Sequence, residues 1–343
     1  MRGLAERLAA QTEIPIEFWG WAGDQPFQPA PPHRGLWLAR FPMPEYRGAW
    51  VFAQLAMKLR ARRSRARAVH ITDPGALTGF AGRRLLATVY DLIPLRQAGT
   101  WRRPIERAGY QAFLHGLRRV DMFLPISNQT GNELVELLGA LDGRLLVAPP
   151  GIDPVPGAEP ASAAARPYFL FLGGPNPNKN LPLLLQALAL TSDLREELLI
   201  AGRWLPRQIA ALEGQVESLG LSNRVRHLGY VPAAALPGLM RSATALVIPS
   251  TEEGFGLPVG EGLAAGALVA HSRIPVLRET SAGSALTFDP HSAAELAGCL
   301  REAAAKSPFS ADLRRRGTER AKRLTWDLAV ENVLTAYRQV LTP

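Results

Sequence analysis

Residues 243–249 (ATALVIP) are an apolar run of strand length closed by a proline, and the turn and helix just after them constrain the chain more than any other stretch. An acidic, glycine-bearing turn comes next, Glu252-Glu253-Gly254-Phe255-Gly256. Pro258 stands where proline suits a first helical turn, Val259, Leu263 and Ala264 line one face of a short helix, and Gly266 ends it. Residues 267–270 read as the next buried strand. A strand–loop–helix–strand run of this kind belongs to a parallel α/β sheet. It puts the loop at the carboxyl end of the strands, where open sheets bind ligands. Free N–H groups at the helix start, with the helix dipole, favour an anion by about 0.3–1 kcal/mol. Glu253 and Glu261 are eight positions apart, so one carboxylate lies in the loop and the other one turn into the helix. Carboxylates repel a bare phosphate but accept hydrogen bonds from hydroxyls. The implied ligand is therefore phosphate plus polyol, a nucleotide sugar.

The string E-G-F-G-L-P-V-G-E followed by a small-residue helix resembles the E-x7-E signature of the retaining GT-B glycosyltransferases of the GT4 group (group 1 family). For Glu253 alone, a helix capped by acids that complement its dipole is the plainer reading. The resemblance implies an α/β fold of two doubly wound, Rossmann-like domains facing across a cleft. It also implies that Glu253 bonds donor-sugar hydroxyls and Glu261 the ribose, while the backbone of Gly254, Phe255, Gly256 and Leu257 meets the diphosphate.

Upstream, residues 168–172 (YFLFL) form an apolar strand, Gly173 and Gly174 follow, and Lys179 precedes Leu181, Leu184, Leu185 and Leu188 at helical spacing. Two glycines after a strand let the backbone close on a ligand, and a lysine at a helix start can pair with phosphate. The resemblance gives Lys179 the β-phosphate; taken alone it reads as a surface lysine. The family often pairs this lysine with an arginine where Gly174 and Asn178 stand here, so Arg203 or Arg273 would have to supply the second cation. Residues 198–202 read as a strand ended by Arg203, 209–219 as a helix, and 225–228 as a strand. Gly229-Tyr230-Val231-Pro232 then resembles the turn that meets the base in the family, making Tyr230 and Val231 contact candidates. Helices over 236–242, 293–305 and 325–340 and a strand over 286–288 complete this half.

The first half opens with a helix over 1–11 and a strand over 14–19, and 21–44, rich in Pro, Gly and aromatics, reads as an irregular connection. A helix over 50–67, strands over 68–72 and 85–90, a helix over 106–119 and strands over 122–125 and 145–148 follow, with Ser127 as a helix cap. Asp91-Leu92-Ile93-Pro94 stands at the end of the 85–90 strand. The mannosyltransferase-like branch commonly reads His-Asp-Leu-Ile-Pro there, near the donor sugar or acceptor, so Asp91 and Tyr90 are catalytic candidates. Tyr90 replaces the histidine and can donate a hydrogen bond, but it is no base near neutral pH. Helix capping is the plainer reading of Asp91. The family places a strand and a glycine-rich turn before its first helix, and residues 2–8 resemble that helix, so the first strand and its loop are expected to be missing. The domains are then 1–155, a Pro/Ala/Gly-rich linker over 156–167, a nucleotide-sugar domain over 168–322 and a helix over 323–343 returning to the first domain.

Charge and composition narrow the partners. Residues 1–155 hold 20 basic and 13 acidic side chains, a net +7 of the chain's +9, with a peak from Lys58 to Arg67 (KLRARRSRAR). A basic run near an anionic leaflet gains about 1 kcal/mol per side chain, so peripheral contact with the inner face of a cytoplasmic membrane is one reading and a solvated helix end the other. Nucleic acid is not expected, since no aromatic residues interleave the run. No stretch reaches the roughly 18 apolar residues of a membrane helix, and the single cysteine, Cys299, fits a reducing cytoplasm. No zinc spacing, nucleophile elbow or paired-aspartate metal motif is evident, so no metal or cofactor is expected beyond the sugar nucleotide. The Asp-Leu-Ile-Pro element leans toward GDP-mannose as donor and a glycan or lipid-linked saccharide as acceptor. Two other classes stay open: a sugar-nucleotide epimerase on the same fold, and a catalytically impaired binding protein or partner subunit.

Overall fold

The computed structural model describes residues 2–14, 16–21, 34–38, 66–71, 83–93, 114–155 and 166–342. They fall into two units, Met1–Gly151 with Trp326–Pro343, and Ile152–Thr325. In the first unit, helix α1 (Arg2–Gln11) precedes a parallel pair, β1 (Glu17–Trp21) and β2 (Arg34–Leu38). Strands β3 (Ala68–Ile71), β4 (Arg84–Val89) and β5 (Met122–Pro125) form a parallel sheet in that order, and α2 (Asn128–Leu138) follows, capped by Ser127 Oγ accepting from Thr130 N at 3.1 Å.

Alternation along the strands sorts their side chains. Leu85, Ala87, Val89 and Phe123 pack with Leu117 and Leu134 on one face. Leu86, Met122 and Leu124 pack on the other with Leu8 of α1 and Val330, Val333 and Leu334 of the terminal helix, Trp326–Leu341. That helix is also pinned by polar contacts. His70 Nδ1 lies 2.8 Å from Tyr337 Oη, and Nε2 lies 2.8 Å from Thr88 Oγ1. Burial lowers the His70 pKa to about 4 and raises that of Tyr337, so the trio is neutral.

Two local expectations are corrected. The stretch 21–44 is not wholly irregular: Arg34–Leu38 pairs with β1, an association across the chain that proline-rich flanks conceal. Residues 144–148 run beside β5 through Phe123 N to Arg144 O (2.8 Å), Leu146 N to Phe123 O (3.0 Å) and Ala148 N to Pro125 O (2.8 Å). Pro125 has no N–H to return, so the expected strand shrinks to one bridge, Phe123 with Leu145. The expected helix over 50–67, but for its last two residues, which are not helical, and most of that over 106–119 lie outside the described residues. So does most of the basic run; its end, Arg67, donates to Leu341 O at 3.1 Å. Among the described residues no helix is long and apolar enough to cross a membrane.

The second unit alternates without a break: β6 (Tyr168–Leu172), α3 (Leu181–Ala189), β7 (Glu197–Ala201), α4 (Pro206–Ser218), β8 (Val225–Gly229), α5 (Leu236–Ser242), β9 (Ala245–Ile248), α6 (Leu257–Ala264), β10 (Val269–Ser272), α7 (Pro275–Ser281), β11 (Leu286–Phe288), α8 (Ala293–Ala305) and α9 (Pro308–Ala321). All six strands are parallel, in the order β11-β10-β9-β6-β7-β8. Phe169, Phe171, Leu198, Ile200 and Val247 face α3, α4 and α8, whose Leu184, Leu212 and Leu300 are buried with them. Leu170, Leu199, Leu246 and Val269 face α5, α6 and α7 through Leu239, Val259 and Leu277. Both faces are covered, which is why these strands read as continuous apolar runs. The strand order reverses between β6 and β9, the switch point at which such sheets open a crevice.

Candidate active site

Two loops leave the carboxyl ends of β6 and β9 side by side. The first runs from Gly173 to Asn180 through a single 3₁₀ turn, Pro177–Lys179, and Asn180 enters α3 in a left-handed conformation (φ 52°) while its amide donates to Pro290 O at 2.9 Å. The second runs from Pro249 to Gly256 and opens into α6, whose start no side chain caps. Thr251 N donates to Asn178 O at 2.8 Å and the Asn178 amide to Glu252 O at 3.2 Å, stitching the loops together. This brings Lys179 Nζ to 2.7 Å from Glu253 Oε1, with the two side chains 22% and 11% exposed. Ser250 Oγ donates to the same oxygen at 2.8 Å. A charge pair so shielded interacts more strongly than a surface pair, and each partner would be costly to leave alone.

The remaining expected site residues of this unit stand on the same sheet edge or on α6. Gly173 and Gly174 follow β6; Gly173 N donates to Ala201 O at 3.0 Å, and Gly202 N to Gly229 O at 2.9 Å. A Cβ at Gly202 would come within 2.2 Å of Gly173 O, so only glycine lets the β6 and β7 turns touch. Trp204 Nε1 donates to that carbonyl at 3.0 Å, and its ring lies 5.4 Å from that of His227. Arg203 lies over the exposed Tyr230 ring, 4.4 Å from its centroid, and Arg273 pairs with Glu295. Val231 packs partly against the α5–α7 core. Phe255 is buried, and its carbonyl accepts from Thr280 Oγ1, so this residue offers a ligand its backbone rather than its ring. Leu257 is exposed at the helix tip.

Glu261 stands one turn into α6. Its surface is open to solvent, but protein crowds around the carboxyl; that burial, and then the charge of Asp153, raises its pKa. Asp153 arrives there because Ile152 docks on α6: Ile152 N donates to Leu324 O at 2.8 Å, and Ile152 Cδ1 lies 2.8 Å from where a Cβ on Gly260 would sit. Tyr90 and Asp91 belong to the other unit, at the end of β4, where Asp91 Oδ1 accepts from Ile93 N at 3.0 Å in a local turn. Among the described residues no group of three or more His, Cys, Asp or Glu side chains could hold a metal ion.

Gly256 decides how α6 begins. Its φ is +81°, and a Cβ would lie 2.3 Å from Leu277 Cδ2, a fully buried atom group. Gly256→Ala should therefore destabilise the second unit by about 2 kcal/mol or more, from left-handed strain plus overpacking. Urea unfolding of the variant beside wild type measures it; equal midpoints would refute it.

Solved structures with this architecture are glycosyltransferases of the GT-B fold. Sucrose-phosphate synthase from Thermosynechococcus elongatus matches with a TM-score of 0.79 at 22% identity, over 98% of this chain and 92% of that one. Anabaena Alr3699/HepE, solved in complex with UDP-glucose, matches with a TM-score of 0.74 at 15% identity, over 94% of this chain and 99% of that one. The family model "Glycosyl transferases group 1" matches residues 158–323 and "Glycosyltransferase Family 4" residues 1–155. The chain belongs to the group 1 glycosyltransferases of the GT4 group. The O-antigen chain mannosyltransferase B of Escherichia coli is 30% identical over 174 residues, 50% of this chain and 45% of that protein. The chain thus spans less than half the length of that relative.

Ser250, Asp153 and Trp204 are not among the site residues expected from the sequence. Ser250 was visible only as the residue after a proline, and Asp153 only as the end of Pro149-Pro150-Gly151-Ile152-Asp153, which resembles the family's P-x-G-V-D at the domain exit. Neither carried a signal of its partner.

Proposed function

We propose that the chain transfers a hexose, mannose or a related sugar, from a nucleoside-diphosphate sugar to a glycan or lipid-linked saccharide, with retention and without a metal. The observation that carries this is the Lys179–Glu253 pair at the strand-order reversal, beside the uncapped tip of α6. Lys179 and the α6 N–H groups would hold the diphosphate and take up the charge that builds on it as it leaves. Glu253 would grip the sugar hydroxyls and Glu261 the ribose. In front-face departure the bond from the sugar's anomeric carbon to the β-phosphate oxygen breaks. The acceptor oxygen bonds to that carbon on the same face, and its proton passes to the departing phosphate, so no separate base is needed. Asp91 and Tyr90 would then meet the sugar or the acceptor, and the basic run from Lys58 to Arg67 an anionic membrane carrying a lipid-linked acceptor.

The Asp-Leu-Ile-Pro element and the mannosyltransferase relative favour GDP-mannose; the UDP-glucose complex of the Anabaena protein keeps UDP-sugars in the panel. A ligand at about 100 times its Kd stabilises the folded state by about 2.7 kcal/mol, a rise of several degrees in Tm. A thermal-shift panel of GDP-, UDP- and dTDP-sugars should show that rise for one base, with GDP-mannose strongest. Release of free sugar from that donor by purified protein would accompany it. Isomerised sugar from donor alone would mark an epimerase instead, and a flat panel would end the reading.

A further inference from the structure

We propose that Ser250 is a positioning residue for Glu253, holding its carboxylate in place when Lys179 turns from it to the donor's diphosphate; this rests on the function proposed above. In the structure Glu253 Oε1 takes two donors, Lys179 Nζ at 2.7 Å and Ser250 Oγ at 2.8 Å. Oε2 has no hydrogen-bond partner among the described residues and is the oxygen left for a sugar hydroxyl. A diphosphate competes for Lys179 with more charge than one carboxylate carries. When the lysine moves, Oε1 keeps one donor only if Ser250 stays where it is.

The surroundings of Ser250 keep it there. The residue is 1% exposed, so the hydroxyl is sheltered from competing water. Ser272 Oγ, on β10, donates to the Ser250 carbonyl, and Ser272 is fully buried. Next to it, Thr251 N is held by Asn178 O at 2.8 Å. The backbone at 250–251 is thus tied to two neighbouring segments, β10 and the β6 loop, and its hydroxyl has one acceptor to point at. Such a group fixes the rotamer of a carboxylate.

Ser250 and Lys179 therefore do separable things. Losing the serine should weaken the grip on the sugar but spare the diphosphate, which Lys179 and α6 hold. The test is calorimetric titration of wild type and Ser250→Ala with GDP-mannose against GDP, and in parallel UDP-glucose against UDP. Ser250→Ala should bind the bare diphosphate within about twofold of wild type, and the sugar nucleotide about tenfold more weakly, the scale of one hydrogen bond to a charged group. Ser250→Cys, a weak donor of similar size, should recover part of the loss and guards against a packing artefact. Equal sugar-nucleotide affinity in wild type and Ser250→Ala would overturn the proposal, as would a parallel loss of both ligands. Wild type that binds neither sugar nucleotide would remove the function it rests on, a different failure.

Discussion

Lys179→Met is expected to lower kcat/KM for the sugar nucleotide by at least about a hundredfold, the range seen when one preorganised donor to developing charge is removed. The ammonium sits at the point where loops from two neighbouring strands meet, 22% exposed, against a carboxylate only 11% exposed. There it acts in a poorly hydrated setting, where a charge stabilises a leaving diphosphate more than it would in water. Methionine keeps the stem that packs beside Gly173, whose Cβ position lies 3.6 Å from Lys179 Cγ. The loss would then report the charge and not a collapsed loop. Arg273 is engaged by Glu295 and Arg203 by the Tyr230 ring, so neither stands ready as a substitute in this structure. Free sugar released from the donor, or product formed once an acceptor is known, is the measurement. A fall confined to KM would demote Lys179 to ground-state binding, and unchanged kinetics would remove it from the site.

Much of the second unit was legible because its strands and helices each bury a face. YFLFL at 168–172 and the leucines of α3 announce their periods in the sequence, and the helices over 236–242 and 293–305 begin and end where their patterns do. Helices α7 and α9 were missed for the opposite reason. Each starts at a proline, and α9 is so rich in arginine that Ser310, Leu313 and Gly317 are its buried positions. β2 was hidden because its partner is elsewhere in the chain. The site divides the same way. Spacing pointed to Glu253 and Glu261 as one motif at the start of α6 and to Lys179 as another at the start of α3. That Lys179 and Glu253 touch follows from β6 and β9 being neighbours, a fact of strand order that no local pattern states. Ser250 and Asp153 become visible only once that order has placed their partners.

Acid should weaken the second unit through His271 by about 3 kcal/mol between pH 6.5 and pH 4. His271 is fully buried on β10, with Nδ1 2.8 Å from Ser272 O and Nε2 2.8 Å from Ser281 Oγ. A carbonyl can only accept, so Nδ1 carries the proton and Nε2 accepts from the serine; the ring is neutral. Burial above all lowers its pKa from 6.5 to about 4, with the Arg278 charge acting in the same direction. In the unfolded chain the ring protonates near 6.5 and in the folded chain only near 4, so the unfolded state takes up the proton first as pH falls. The stabilisation is complete above the higher value, drains away across the window and stops falling below the lower one. Its loss reaches the site, because Ser272, next in the chain, donates to the carbonyl of Ser250. Hydrogen exchange of the β9 and β10 amides, read as opening free energy across this pH range, measures it. In His271→Gln the decline should be shallower by about that amount, while carboxylates that titrate in both proteins cancel in the comparison. Parallel declines in the two proteins would show that the ring is already charged, or already solvated, in the folded state.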